Sequence, residues 1–145
     1  MEQVADGKLV GALLLDLSKA FDSINHEQLL QELENIGCSH MAISWFSSFL
    51  KDRLQRVKII DRVSSWRQVE KGVPQGSPLS PLLFNIMVRL LPQASQTEAF
   101  QFADDLTNSD SDRDLGELSS KLQAMYSRVK AFCNDRNLTT ETASC

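Results

Sequence analysis

A seven-residue apolar run, LVGALLL, most constrains the fold, because it ends abruptly at an acidic residue, Asp16. The run is too short to span a membrane, which takes about 20 apolar residues in a helix. Its length suits a β-strand, and an unbroken apolar strand is typical of one that is covered on both faces. The sequence therefore predicts a buried strand over residues 9–15 that delivers a carboxylate at its end.

Capping and turn residues divide the remaining chain into short helices and strands. Asn25 and Ser39 are good N-caps for two helices, Ser77 opens a third, and Pro92 is expected to end it. The predicted segments after the first strand are, in order, helices at 25–36 and from 39 onward, strands at 55–60 and 65–69, a helix at 77–91, strands at 97–102 and 106–109, a helix at 115–132 and a strand near residue 138. This order predicts an α+β fold whose helices pack mainly on one face of an antiparallel sheet.

Charge is distributed unevenly along the chain. The formal net charge is −4, yet residues 51–71 hold seven basic and three acidic side chains, a local charge of +4 that leaves −8 for the rest. A basic stretch in an acidic protein is a candidate track for a nucleic-acid backbone, where Lys and Arg replace condensed counterions. A solvated hairpin face would carry the same charges, so both interpretations stay open. The candidate contacts are Arg53, Arg56, Lys58, Arg67 and Lys71.

The three cysteines bear on the cellular compartment. Cys38, Cys133 and Cys145 have no CxxC spacing and no neighbouring His cluster, so they predict neither a zinc site nor a disulfide framework. A reducing, intracellular compartment is the simpler interpretation. The first residues also lack the pattern of a signal peptide, and we expect no association with a membrane.

Two adjacent carboxylates, Asp104 and Asp105, separate two strand patterns and are predicted to form a hairpin turn with Ala103. If this hairpin lies beside the first strand, the doublet and Asp16 gather at one point, and clustered carboxylates need a cation to relieve their repulsion. Their hard oxygen ligands favour Mg²⁺ or Mn²⁺. Two such ions about 3.5–4 Å apart can activate a hydroxyl and hold a leaving phosphate oxygen. A solvated acidic turn is the structural alternative.

Three longer segments carry a family resemblance. LLLDLSKAFDSINHEQLL resembles the first palm motif of reverse transcriptases of non-LTR, LINE-type retrotransposons, GVPQGSPLSPLLFNIMV resembles their second motif, and QFADDLTNSD resembles their Ala-Asp-Asp box. The intervening SWFSSFLKDRLQRVKI is similar as well, so the likeness covers about residues 9–138. It implies a polymerase palm and RNA-directed DNA polymerase activity, with an RNA template, a DNA primer and a deoxynucleoside triphosphate as partners.

The resemblance also implies roles for the acidic residues. Asp16 and Asp104 would be the carboxylates that bridge two Mg²⁺ ions, with Mn²⁺ as an alternative metal. Asp105 would be a third and less direct ligand, and Leu17 would offer its backbone carbonyl oxygen.

Further positions match the part of the family pattern that contacts the incoming nucleotide. Phe21 matches the steric gate, whose ring fills the space that a ribose 2′-hydroxyl needs. Gln75, Gly76 and Ser77 match the segment that approaches the nucleotide and the template base, where glycine permits close backbone approach. A core aromatic and an ordinary helix cap are the alternatives for Phe21 and Ser77. Asp22 belongs to the motif but is predicted to be a turn residue.

The chain departs from the family pattern outside the palm. Only 15 residues precede Asp16, and no lysine follows residues 137–139, where the family has one that can protonate pyrophosphate. We therefore expect a single partial domain over residues 1–145 that relies on the fingers and thumb segments of a longer polyprotein. Two hypotheses remain, an active polymerase core and a catalytically inactive palm remnant that acts as a binding module. A two-metal phosphohydrolase is disfavoured, because nothing resembles a water-activating His or Glu.

Overall fold

Strand β1 (Leu9–Ser18) lies inside a four-stranded sheet in the computed structural model, which describes residues 7–142. The strand order is β6-β7-β1-β8, where β6 is Glu98–Phe102, β7 is Asp105–Asp112 and β8 is Thr139–Thr142. Every neighbouring pair in this sheet is antiparallel. The predicted α+β class with an antiparallel sheet is confirmed.

Six helices and four short strands complete the described residues. The helices are α1 (Ala20–Ser23), α2 (His26–Asn35), α3 (His40–Leu50), α4 (Ser80–Val88), α5 (Leu91–Ser95) and α6 (Leu115–Asp135). The short strands are β2 (Leu54–Gln55), β3 (Lys58–Ile59), β4 (Arg62–Val63) and β5 (Arg67–Gln68). β2 pairs with β5 and β3 pairs with β4. No helix within residues 7–142 is both long and apolar enough to cross a bilayer.

These elements form two compact units. The first contains the described residues up to Ala20 and from Val88 onward, and it holds the four-stranded sheet, α5 and α6. The second is Phe21–Met87, with α2, α3, the two short strand pairs and nearly all of α4. The prediction of one domain over residues 1–145 stays a prediction.

Helix α6 covers one face of the sheet with its apolar stripe, as its periodicity predicts. Its buried residues are Leu118, Met125, Val129 and Cys133. The helix approaches β1 so closely that a Cβ on Gly11 would lie 2.7 Å from Leu122 Cδ1. Glycine at this point of the strand therefore permits the close packing of helix on sheet.

The other face of β1 is open, contrary to the prediction of a strand covered on both faces. Leu15 and Leu17 are each only 2 % exposed, whereas Val10 and Leu14 at the alternate positions are 48 % and 49 % exposed. The pairing explains the difference, because an antiparallel sheet can bury one face and leave the other in solvent. An apolar run alone does not distinguish the two cases.

In the second unit, side-chain caps start α2 and α3 where the sequence predicts them. Asn25 Oδ1 accepts a hydrogen bond from the backbone N–H of Gln28 at 3.1 Å. Ser39 Oγ accepts one from the backbone N–H of Ala42 at 3.3 Å. Each cap satisfies a donor that the first helical turn leaves without a partner.

The strand predicted at residues 55–60 is interrupted at its centre. Val57 donates its N–H to Ser64 Oγ at 2.9 Å, and Ser64 donates its own N–H to the Val57 carbonyl at 2.9 Å. A side-chain hydroxyl thus replaces a backbone carbonyl in the ladder. Two separate strand pairs form instead of one continuous hairpin.

Two helix boundaries also differ from the prediction. Helix α4 begins at Ser80, because Ser77 Oγ accepts the N–H of Leu79 at 3.3 Å and closes a turn ahead of the helix. The helix ends at Val88, and Pro92 lies in the first turn of α5. Proline is tolerated there because the N–H that it lacks has no helical partner at that position.

Candidate active site

The sheet brings two predicted carboxylates to directly opposite positions. β1 and β7 pair with Leu15 opposite Leu106 and Asp16 opposite Asp105. Residues in opposite positions of such a ladder have Cα atoms about 4.5–5.5 Å apart and side chains on the same face. Asp16 is half-buried and Asp105 is exposed. The predicted approach of the first strand to the acidic hairpin is therefore present in the backbone pairing.

Asp104 lies in the tight turn that joins β6 to β7. Phe102 pairs with Asp105, so the turn consists of Ala103 and Asp104 and is one residue shorter than predicted. The N–H of Leu17 donates to the Asp104 carbonyl at 3.2 Å, which ties the turn to β1. Ala103 has φ 51°, a value that normally favours glycine in a two-residue hairpin turn. Backbone strain of this kind clusters at functional sites.

Asp16 and Asp105 lie on the open face of the sheet. Phe102 is the next residue across the strands from Asp105, and it is 84 % exposed, while Phe100 is 70 % exposed. On the other side of Asp16, the backbone of Glu141 on β8 occupies the opposite register position. Sequence reasoning missed this position, because only the pairing of β8 with β1 reveals it.

The chemistry of these donors fits a hard divalent cation. Like charges at opposite ladder positions destabilise a sheet, so a cation shared by Asp16 and Asp105 would remove a penalty. Within residues 7–140, whose side chains the structure describes, no three His, Cys, Asp or Glu side chains converge closely enough to hold a metal ion. Mg²⁺ does not need such a cage, since it is commonly held by one or two carboxylates together with substrate phosphates and water. The arrangement therefore suits an ion that is bound jointly with a substrate.

The second unit places three of the predicted nucleotide contacts in the segment before α4. Gln75 and Gly76 are exposed, and Ser77 is half-buried. A side chain at Gly76 would meet nothing within 4 Å, but its φ of 85° is one that residues with a Cβ rarely adopt. Ser77 closes the turn ahead of α4, so it has a local structural role, and its predicted contact with a nucleotide stays a prediction.

Phe21 packs against the interior of the second unit. Its ring centroid lies 4.7 Å from that of Phe84, with the planes inclined at 31°. Phe84 is 1 % exposed, whereas Phe21 is only half-buried. Packing accounts for one side of the Phe21 ring, and the steric-gate role of the accessible part stays a prediction.

A groove of about 580 Å³ lies within the second unit. Its lining includes the loop before α4 and the start of β2. The charged and amide side chains that line it are Asp22, Arg53, Gln55, Lys71 and Gln75. The groove thus brings a predicted nucleotide contact together with two of the five predicted phosphate contacts.

The other three basic candidates do not line this groove. Lys58 and Arg67 are exposed on β3 and β5. Arg56 stacks over Trp66, with its guanidinium carbon 4.4 Å from the ring centroid. Such a cation–π contact orients the arginine and covers one face of the indole.

Comparison with known proteins identifies the family. A family model described as reverse transcriptase (RNA-dependent DNA polymerase) matches residues 3–144. The chain belongs to the reverse transcriptase family. A retrovirus-related Pol polyprotein from the type-1 retrotransposable element R2 of Nasonia vitripennis is 31 % identical to it over 143 residues, which cover 91 % of this chain and 13 % of that protein. A probable RNA-directed DNA polymerase from transposon BS of Drosophila melanogaster is 28 % identical and covers 88 % of this chain and 15 % of its own length.

These relatives confirm the predicted resemblance to reverse transcriptases of non-LTR retrotransposons. Two telomerase structures share the fold of this reverse transcriptase chain. Apo telomerase from Candida tropicalis matches 95 % of this chain and 31 % of its own, with a TM-score of 0.58 and 16 % identity. Telomerase from Candida albicans in complex with a fragment of telomeric RNA matches 93 % of this chain and 28 % of its own, with a TM-score of 0.61 and 13 % identity. At identities this low the two structural matches show the fold alone, and they confirm the predicted palm-like α+β architecture.

Proposed function

We propose that this chain is the palm portion of an RNA-directed DNA polymerase, which joins deoxynucleotides to a primer 3′-hydroxyl on an RNA template. Family membership supports the reaction class, and the observation that carries the proposal is the pairing of Asp16 with Asp105 on an open sheet face. The chain spans 13 % of the length of its relative from Nasonia vitripennis. We therefore propose that fingers and thumb come from other segments of a longer protein.

Asp16, Asp104 and Asp105 are the proposed ligands of two Mg²⁺ or Mn²⁺ ions, with the Leu17 carbonyl as a further oxygen donor. Bound there, such ions would promote loss of the proton from the primer hydroxyl and neutralise charge on the leaving pyrophosphate. The hydrogen bond from the Leu17 N–H to the Asp104 carbonyl holds the turn beside β1. This contact keeps the acidic doublet at the same end of the sheet as Asp16.

The nucleotide contacts are assigned to the second unit. Phe21 is proposed to exclude ribonucleotides, because its accessible edge would clash with a 2′-hydroxyl. Gln75 and Gly76 are proposed to approach the nucleotide and the template base, and Ser77 to support their loop through its turn. Each role requires an exposed or partly exposed residue, as these four are.

Basic side chains of the second unit are proposed to follow the template–primer backbone. Arg53 and Lys71 would contact phosphates from the groove that they line. The further contacts are Arg56, Lys58 and Arg67. Binding through these cations would weaken as salt rises, because each condensed counterion gains less entropy when it is released into a more concentrated salt solution.

The competing proposal is a catalytically inactive palm remnant that acts as a binding module. This alternative holds if Asp16 and Asp105 bind an ion only weakly without a substrate phosphate, since no three metal-binding side chains converge within residues 7–140. In that case the chain would bind nucleic acid or a divalent ion without extending a primer.

Primer extension tests the two proposals. The purified chain is incubated with poly(rA)/oligo(dT), dTTP and Mn²⁺, and the wild type is compared with Asp104→Asn and with the control Asp110→Asn. The control removes the same charge on β7 but opposite Gly11, five residues along the strand from Asp105. Extension that Asp104→Asn abolishes and Asp110→Asn retains supports the polymerase. No extension at any Mn²⁺ concentration supports the remnant for this chain.

A further inference from the structure

Asp22 contacts Gln75 in the second unit, although the sequence pattern predicts only a turn role for it. Gln75 Nε2 donates a hydrogen bond to Asp22 Oδ1 at 3.0 Å, across 53 positions of the chain. Both side chains are exposed and line the same groove as Arg53 and Lys71. The contact therefore joins a residue without an assigned role to a proposed nucleotide contact.

The backbone of the loop that carries this glutamine is held firmly against the segment that carries the aspartate. Val73 donates its N–H to the Phe21 carbonyl at 2.8 Å, and Gly72 donates its N–H to the Ile24 carbonyl at 2.8 Å. His26 Nε2 lies 2.7 Å from the Gly72 carbonyl, which accepts its proton. Both the N–H groups and the carbonyl of the loop backbone are thus hydrogen-bonded to the segment that carries Asp22.

The fit between these segments leaves no room for a side chain at Gly72. A Cβ there would lie 2.8 Å from Asp22 Cα and 2.9 Å from the Phe21 carbonyl oxygen, and φ is 84°. Only glycine accommodates both the approach and the backbone conformation. The Asp22 backbone is consequently held in place against the loop, so the hydrogen bond from the Gln75 amide to the Asp22 carboxylate starts from a fixed position.

The chemistry of the contact determines which end of the amide is available to a ligand. An ionised carboxylate only accepts hydrogen bonds, so the NH₂ group of Gln75 must face Asp22. The amide oxygen is then left as an acceptor, with no hydrogen-bond partner among the described residues. An acceptor recognises a hydroxyl or amino group and repels a phosphate oxygen. The phosphates of a bound strand would instead contact Arg53 and Lys71, which line the same groove.

We infer that Asp22 is a positioning residue that holds Gln75 with its amide oxygen presented to a sugar hydroxyl or base amino group of a nucleic-acid strand in this groove. The inference rests on the proposed function, since it assumes that the groove binds the template–primer. In this arrangement the Gln75 amide oxygen accepts a hydrogen bond from a sugar or base, and Arg53 and Lys71 bind phosphate.

Binding of a fluorescein-labelled poly(rA)/oligo(dT) hybrid, followed by fluorescence anisotropy, tests the inference. Asp22→Ala and Gln75→Ala should each weaken binding about 5- to 10-fold, the effect of one lost hydrogen bond. The double variant should bind no more weakly than Gln75→Ala alone. Thermal unfolding midpoints should stay close to the wild type, because both side chains are exposed.

The sign of the effect separates positioning from simple charge. An aspartate that only adds negative potential beside a nucleic-acid groove would, on removal, strengthen binding. Asp61→Ala is the matched control, since it removes an exposed carboxylate of the same unit that lies outside the groove lining. Asp22→Ala that binds the hybrid as tightly as the wild type or more tightly, as expected of this control, overturns the inference. Losses of affinity from Asp22→Ala and Gln75→Ala that multiply in the double variant overturn it as well.

Two further arms define the ligand and keep the inference separate from the proposed function. If Asp22→Ala and Gln75→Ala lose more affinity for a hybrid with a poly(rA) template than for one with a poly(dA) template, the donor is a ribose 2′-hydroxyl. Equal losses of affinity for the two templates identify a base amino group. If the wild type binds no hybrid, the proposed function fails for this chain. The NMR signal of the Gln75 side-chain amide then decides the positioning role, and an unchanged signal in Asp22→Ala overturns it.

Discussion

Removing the Asp105 carboxylate of the opposed pair should stabilise the metal-free protein and remove most of its stabilisation by Mg²⁺. Asp16 and Asp105 occupy directly opposite positions on β1 and β7, on the open face of the sheet. Without a cation, the two negative charges repel each other in the folded state and are far apart in the unfolded chain. Asp105→Asn preserves the shape of the side chain and removes that repulsion.

The geometry sets the size of the effect. Like charges at opposite positions of a ladder destabilise a sheet by about 0.2–1 kcal/mol. Coulomb's law gives a similar figure, about 0.8 kcal/mol for unit charges roughly 5 Å apart in water. For a chain of this length, 1 kcal/mol corresponds to about 2–4 °C in the unfolding midpoint. Asp105→Asn should therefore raise the midpoint by about 1–4 °C in the presence of EDTA.

Thermal unfolding in EDTA and in Mg²⁺ at matched ionic strength measures both parts of the prediction. Mg²⁺ at ten times its dissociation constant should stabilise the wild type by about 1.4 kcal/mol, because it binds only the folded state. Asp16→Asn and Asp105→Asn should lose most of this gain, whereas Asp110→Asn should retain it. A similar stabilisation of the Asp110→Asn control in EDTA, or an equal Mg²⁺ response in all variants, would refute the explanation by local repulsion.

Two further substitutions test interactions within the first unit. Asn108 is 0 % exposed and its amide atoms have no partner in the described part of the chain, so Asn108→Leu should raise the free energy of unfolding in urea by about 1–3 kcal/mol. A loss of stability there would instead indicate that an internal water satisfies the amide. Lys121 Nζ lies 2.6 Å from Asp112 Oδ2 and, by this hydrogen bond, lowers the pKa of Asp112 from 3.8 to about 2. The stabilisation by this pair is complete above about pH 4 and is lost as pH falls towards 2. Asp112→Asn should therefore flatten the decline in the free energy of unfolding, measured in urea, over that pH range. An unchanged decline would contradict the assignment.

Features that depend on neighbouring residues were predictable from the sequence. Asn25 and Ser39 start helices because their side chains accept from a backbone N–H three positions later, a contact that the local sequence alone determines. The apolar stripe of α6 follows from spacing in the same way. The position of Pro92 was misjudged for a local reason too, since proline is compatible with both the end of one helix and the first turn of the next.

Other features that depend on distant residues were not predictable, although the approach of β1 to the acidic hairpin was predicted. The hydrogen bond between Asp22 and Gln75 joins residues 53 positions apart, and nothing in either motif indicates that the two side chains meet. The same applies to Glu141, which reaches its place opposite Asp16 only through the pairing of β8 with β1. Strand order is a property of the whole sheet, so the local pattern of each strand leaves it open.

The packing of β1 and β7 determines where the carboxylates lie. Successive side chains of a strand point to opposite faces, so burial of Leu15 and Leu17 places Asp16 on the open face. Leu106, which is 1 % exposed, lies opposite Leu15, and this buried pair sets Asp105 opposite Asp16. A slip of one residue would turn Asp16 towards the interior and Leu15 towards solvent, at the cost of moving a charge out of water. The apolar core thus holds the acidic pair in register, even though the two charges repel each other in the absence of a cation.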